Sequence, residues 1–160
     1  MIGTAHLATL APPWVLLSTC DPRSLRASIR QFPGLRFITV RGEACRTKAG
    51  LFEEFARTLK FPDYFGRNWD AFDECINDLE WLDGAGYVVA VTKAERLLAD
   101  EDVEYSRFVD ILSSAGNEWA APPDQRTARP FHAVLMVSSP ADVPRRNCRL
   151  TQASFDRASR

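Results

Sequence analysis

The chain has 160 residues, 46% of them hydrophobic, with four Trp and ten Phe. That is enough apolar mass for one domain with a sizeable core, and no long apolar run suggests a membrane span. The formal net charge of -1 gives no global pull toward nucleic acid or an anionic membrane, so any electrostatic function must come from uneven placement of charge.

In chain order, no Lys or Arg precedes Arg23 and Pro12-Pro13 interrupts the first apolar stretch, a pattern unlike a secretory signal. Trp14 to Ser18 reads as a short buried strand, and Asp21-Pro22 supplies an N-cap and a first-turn proline for a helix expected to end near Gly34. Leu35 to Val40 is a second strand, turning at Gly42. Thr47 caps a further helix in which Phe52, Phe55, Ala56 and Leu59 form the packed stripe, while Glu53, Glu54, Arg57 and Lys60 face water and Pro62 closes it. After a loop from Phe61 to Arg67, Asn68 opens another helix. Tyr87 to Val91 is apolar on both faces, as strands inside parallel sheets are.

Residues 93 to 115 read as two helical pieces broken near Asp100, Glu101 and Asp102, with Val103, Phe108, Ile111, Leu112 and Ala115 buried and Gly116 as the stop. A proline-rich loop, 116 to 130, leads into a last strand, Phe131 to Val137. Beyond Pro140 the chain is polar and Arg-rich and reads as a mobile tail. The order βαβααβααβ predicts an α/β fold, a small parallel sheet covered by helices. The expected division is an N-terminal strand and helix (1–34) that adds an edge strand to the sheet, a central domain (35–138) and a basic tail (139–160). Cys20, Cys45, Cys75 and Cys148 are widely spaced with no CxxC pair, which indicates neither a zinc site nor a disulfide framework and suits a reducing, cytoplasmic setting.

Charge is concentrated in one place. Residues 62 to 83 carry Asp63, Asp70, Asp73, Glu74, Asp78, Glu80 and Asp83 against Arg67 alone, a local charge of -6 that leaves +5 for the rest. Much of that excess lies in 126 to 160, where Arg126, Arg129, Arg145, Arg146, Arg149, Arg157 and Arg160 face only Asp142 and Asp156. On a helical wheel, Trp69, Ala71, Phe72, Cys75, Ile76 and Leu79 fill one half of the segment 69–80, and Asp70, Asp73, Glu74, Asn77 and Asp78 fill the other. Acids in a first turn stabilise a helix through its dipole, so a solvated face is the plain explanation. Against it, Asp70, Asp73, Glu74 and Asp78 repel at i,i+3 and i,i+4 spacing with no Lys or Arg in the helix to relieve them, which points to a cationic partner. Tyr64 and Phe65 in the preceding loop add exposed-capable aromatics beside Arg67 and the Asn68 cap.

The run Phe61-Pro62-Asp63-Tyr64-Phe65-Gly66-Arg67-Asn68-Trp69-Asp70-Ala71, continued by Glu74-Cys75-Ile76, resembles the barstar family of ribonuclease inhibitors. The resemblance covers roughly residues 36 to 138. It implies a barstar-like fold and an inhibitor whose loop and following helix plug a ribonuclease's cationic cleft, carboxylates standing in for RNA phosphates. By position Tyr64 matches the family's contacting aromatic, Asn68 and Asp70 its polar contacts, and Glu74 its central Asp, one methylene shorter than this residue. Asp73 stands where the family has an aromatic contact, Trp69 replaces an aliphatic residue, and Ser114 is nearest to an acidic contact from a later helix.

The expected partner-binding set is therefore Tyr64, Phe65, Arg67, Asn68, Asp70, Asp73, Glu74, Asn77 and Asp78. No catalytic residue, metal or cofactor is expected, nor direct contact with nucleic acid, and the protein is expected to be a monomer. Only His6, in a mobile N-terminus, and His132, in an apolar strand, could serve as imidazole bases, and neither sits in a catalytic constellation. The alternatives are an immunity protein or antitoxin that turns the same ridge on a different nuclease or toxin, and a metal-dependent hydrolase with Asp70 and Glu74 gripping a divalent cation.

Overall fold

A computed structural model describes residues 2–147 and 149–155. Five parallel strands, β1 (Val15–Ser18), β2 (Leu35–Arg41), β3 (Gly86–Thr92), β4 (Phe131–Met136) and β5 (Thr151–Gln152), form one sheet in the order β2-β3-β4-β1-β5. Four helices connect them: α1 (Pro22–Ile29), α2 (Lys48–Thr58), α3 (Trp69–Asp78) and α4 (Tyr105–Ala120). The α/β class expected from the sequence is the one found. Among the described residues no helix is long and apolar enough to cross a membrane.

Strand alternation divides the core in two. Tyr87, Val89 and Val91 of β3 join the large cluster beneath α2, α3 and α4, while Val88 and Ala90 join a smaller one with Leu25 and Ile29 of α1. Chain direction explains why α1 sits apart. The path runs one way along the sheet from β1 to β2, then back through β3 and β4, and crossovers of one hand put connections of opposite direction on opposite faces.

Several elements differ from expectation. Helix α1 stops at Ile29 because Pro33 restricts Phe32, and the turn reaches β2 through Gly34 at φ 82. Residues 94–96 and 102–104 form only 3-10 turns, so one α-helix, not two, lies between β3 and β4. Val103, expected in the core, is 89% exposed on the second of these turns. Gly116 does not stop α4. The helix continues to Ala120, and Gly116 lies inside it where a Cβ would collide with the Trp14 ring. Trp14 also donates its indole N–H to Asn117 Oδ1 at 2.9 Å, so β1 is fastened to α4.

Neither chain end is loose where it is described. A 3-10 turn, Thr4–Ala8, buries Leu7 and carries His6. After Pro140, residues 145–147 form another turn and β5 pairs with β1, so β1 is interior and not an edge strand. Cys148, Asp156, Arg157 and Arg160 lie outside the described residues. Cys45 and Cys75 are buried thiols, and burial pushes Cys45 up to about 12.

Glu54 also departs from expectation. Placed by pattern on the wet face of α2, it is 3% exposed and accepts hydrogen bonds from the Arg41 backbone N–H (3.2 Å), the Arg41 side chain (3.1 Å) and Arg57 Nη2 (2.8 Å). Burial works against its charge, but the two guanidinium groups outweigh it and bring the carboxyl down to about 2.

Two outcomes follow. Glu54→Gln lowers stability at neutral pH by about 1–3 kcal/mol. Because the folded carboxyl titrates below its ordinary value of 4.5, this contribution is present above that pH and disappears as pH falls through about 2. Denaturant titrations at several pH values should show the gap between wild type and variant closing as acid is added. Gly116→Ala, in turn, lowers stability by about 1–3 kcal/mol through the clash with Trp14, although alanine favours helices; thermal unfolding measures it.

Candidate functional site

The loop before α3 is shaped by alternate burial. Phe61 and Phe65 turn inward, their rings 5.0 Å apart, and Phe65 meets the edge of Phe52 at 5.8 Å. Phe65, expected beside Tyr64 as an exposed aromatic, is thus a core residue at 9% exposure, whereas Tyr64 is 76% exposed. Arg67 takes a left-handed conformation, φ 52, and its guanidinium pairs with Glu53 on α2. Asn68 then caps α3: its Oδ1 accepts the Ala71 N–H at 2.9 Å and its Nδ2 donates to Gly66 O at 3.2 Å.

Helix α3 is held from below and at both ends. Trp69, Phe72, Cys75 and Ile76 are buried. The Trp69 indole donates to Glu104 Oε2 at 2.8 Å, and the Trp119 indole donates to Ile76 O at 2.9 Å. These contacts set α3 and α4 side by side, running the same way. At the C-terminal end Leu79 takes the left-handed cap and Arg126 donates to Asn77 O at 2.6 Å.

On the outer face the acids are unequal. The Asp70 side chain is 91% exposed and Glu74 is exposed, whereas Asp73, Asn77 and Asp78 are half-buried. Asn77 Nδ2 donates to Asp73 Oδ1 at 2.9 Å, so these two are tied to each other. Burial, with Asp70 and Glu74 nearby, raises the Asp73 carboxyl above its ordinary range despite that hydrogen bond.

The ridge does receive a cation, from outside its own helix. Arg107 Nη2 lies 3.5 Å from Asp70 Oδ1. With Asp110 and Ser114 it forms an exposed stripe at helical spacing on α4. Arg107 is 37 positions from Asp70 in sequence; only the packing of α4 on α3 brings them together. The polar spacing of Arg107, Asp110 and Ser114 is the trace of this face in the sequence.

The histidines lie in the N-terminal packing. His132 is fully buried with Nε2 3.3 Å from Ala11 O, and burial pushes it down to about 4. His6 meets it edge-on at 4.9 Å. Among the described residues no three His, Cys, Asp or Glu side chains converge where a metal ion could be held. A cleft of about 590 Å³ is bordered by Cys20, Asp21, Ser24 and Phe155 beside β1 and β5 and includes no residue of α3.

Because the folded Asp73 keeps its proton to higher pH than the unfolded chain does, carrying its charge at neutral pH costs stability, and below both titrations nothing is lost. Asp73→Asn, which retains an acceptor for Asn77, should therefore stabilise the protein by about 0.2–0.5 kcal/mol at pH 7. Thermal melts at pH 7 and pH 3 should show the gain only at the higher pH.

No curated protein sequence matches the chain. The family model described as Barstar (barnase inhibitor) matches residues 35–136, from the first residue of β2 to the last of β4 and across the whole of α2, α3 and α4. With strands β2, β3 and β4, the capped α3 and the exposed Tyr64 all inside that match, the chain belongs to the barstar family.

Proposed function

We propose that this protein inhibits a ribonuclease by laying Tyr64 and the acidic face of α3 into the enzyme's cationic active site, and that it catalyses no reaction itself. The observation that carries this reading is the pair Asp70 and Glu74, one helical turn apart and both exposed on a helix whose other face is locked into the core. A rigid pair of carboxylates at that spacing meets the guanidinium and ammonium groups that a ribonuclease uses for phosphates, and little ordering entropy is lost on binding. Tyr64 supplies the flat apolar contact beside them. Asn68 and Arg67 contribute by holding the loop, and Asp73, Asn77 and Asp78 border the contact. Phe65 supports it from beneath.

In this reading residues 35–138 are the inhibitory domain, and the protein acts as a monomer in the cytoplasm of the cell that makes it. A second reading keeps the surface and changes the target to a different nuclease or toxin. It is favoured by the longer reach of Glu74, by the Asp73–Asn77 pair and by the cation Arg107 beside Asp70. A cleft that takes all three must differ in shape from one built for a shorter acid.

The purified protein should suppress a small basic ribonuclease stoichiometrically, with an association rate that falls steeply between about 0.05 and 0.5 M salt. Asp70→Ala combined with Glu74→Ala should weaken the complex at least about 100-fold, two charge-assisted hydrogen bonds being worth at least about 1.5 kcal/mol each. Inhibition unchanged in the double variant would reject the interface. If wild type ignores ribonucleases yet binds another toxin through Asp70 and Glu74, the second reading stands instead.

A further inference from the structure

The segments that flank the family match, before residue 35 and after residue 136, come together in space. β5 pairs with β1, and Ala153 bridges Ile2. Just ahead of β5, the turn Arg145–Asn147 leaves the sheet and grips the start of α4. The Arg146 side chain is 14% exposed. Its guanidinium lies over the Tyr105 ring at 4.1 Å, pairs with Asp102 at 2.6 Å and donates to the carbonyls of Leu97 and Leu98. Asn147, fully buried, accepts the Tyr105 hydroxyl.

Between β3 and α4 the chain has only two short 3-10 turns and isolated turn hydrogen bonds, such as Glu101 N–H to Leu98 O at 3.1 Å, so it lacks the continuous ladder of a helix or strand, and the Arg146 guanidinium adds donors to Leu97 O and Leu98 O. Two residues in and just after this stretch reach α3. Glu104, between Asp102 and Tyr105, accepts the Trp69 indole N–H, which holds that carboxyl below its usual range, and Arg107 reaches Asp70. The contacts thus run from Arg146 and Asn147 to Asp102 and Tyr105, then to Glu104 and Arg107, and end on the first turn of α3.

We propose that Arg146 and Asn147 form a clamp, built from sequence outside the family domain, that positions the acidic face of α3 for its partner. They are positioning residues, and neither touches the proposed interface. The proposal rests on the inhibitor reading for its functional consequence, but the clamp itself is measurable without a partner.

The test compares the full chain with Arg146→Ala, Arg146→Lys and Asn147→Ala by amide hydrogen exchange and by dissociation from a small basic ribonuclease. Arg146→Ala should speed exchange at least about 10-fold in residues 108–112 of α4 and 72–75 of α3, leaving β3 unchanged. The off-rate should rise about 10-fold while the titrated number of binding sites per chain stays the same. Arg146→Lys keeps a charge for Asp102 but not the planar stack, and should rescue only part of the loss; Asn147→Ala should reproduce the effect in weaker form. Faster exchange confined to α4, with α3 and the off-rate at wild-type values, overturns the proposal. So does a fall in binding sites at an unchanged off-rate, which marks a loss of folded protein alone. If wild type does not bind the ribonuclease, the inhibitor reading fails, and exchange in residues 72–75 still decides the clamp.

Discussion

Phe72 is fully buried and meets the rings of Phe52, Phe55, Phe61, Trp69 and Phe108 at centroid separations of 5.1 to 6.2 Å. These rings come from α2, the following loop, α3 and α4, so one aromatic cluster fixes the rotation of α3 about its axis. Everything at the surface depends on that rotation. With Phe72 inward, Asp70 and Glu74 face outward, and Tyr64 is presented because Phe61 and Phe65 on either side of it are drawn into the same cluster. Edge-to-face aromatic packing is close and directional, so it resists the helix roll that would blunt the ridge.

The acidic face is not simply a row of free charges. Nearby residues offset its self-repulsion unevenly: Arg107 approaches Asp70, Asn77 bonds Asp73, and among the described residues Glu74 has no ion-pair partner. In the proposed complex a partner's cation arriving at Asp70 would have to share or displace Arg107, while Glu74 would offer its charge directly, and on that reading Arg107 would tune which cationic surfaces the ridge accepts.

The parts beyond the family match lengthen the sheet without altering its logic. β1 and β5 extend it past β4, and Trp14 seated on Gly116 fastens the addition to α4. The tail then returns to the start of that helix through Arg146 and Asn147. Helix α4 is thereby held near both ends by residues that the family domain lacks, and α4 is what supports α3 from the side.

Local chemistry was legible in the sequence wherever one short segment contained the whole signal. The caps Asp21, Thr47 and Asn68, the doubly apolar strand at Tyr87–Val91, the wheel of α3 and the loop motif ahead of it all rest on neighbours within a few residues. What the sequence could not show depends on residues far apart meeting. Glu54 reads as a wet-face acid until Arg41 folds against it, Gly116 reads as a helix stop until Trp14 occupies its place, and Phe65 reads as bait until Phe52 and Phe61 enclose it. The Arg-rich tail reads as solvated because its stacking partner, Tyr105, is 41 positions from Arg146. The sequence by itself determined the class of fold, the family and a helix with one apolar and one acidic half. Only the tertiary structure decided which of those acids are free and what counter-charge stands beside them, because screening and burial are set by neighbours in space, not in sequence.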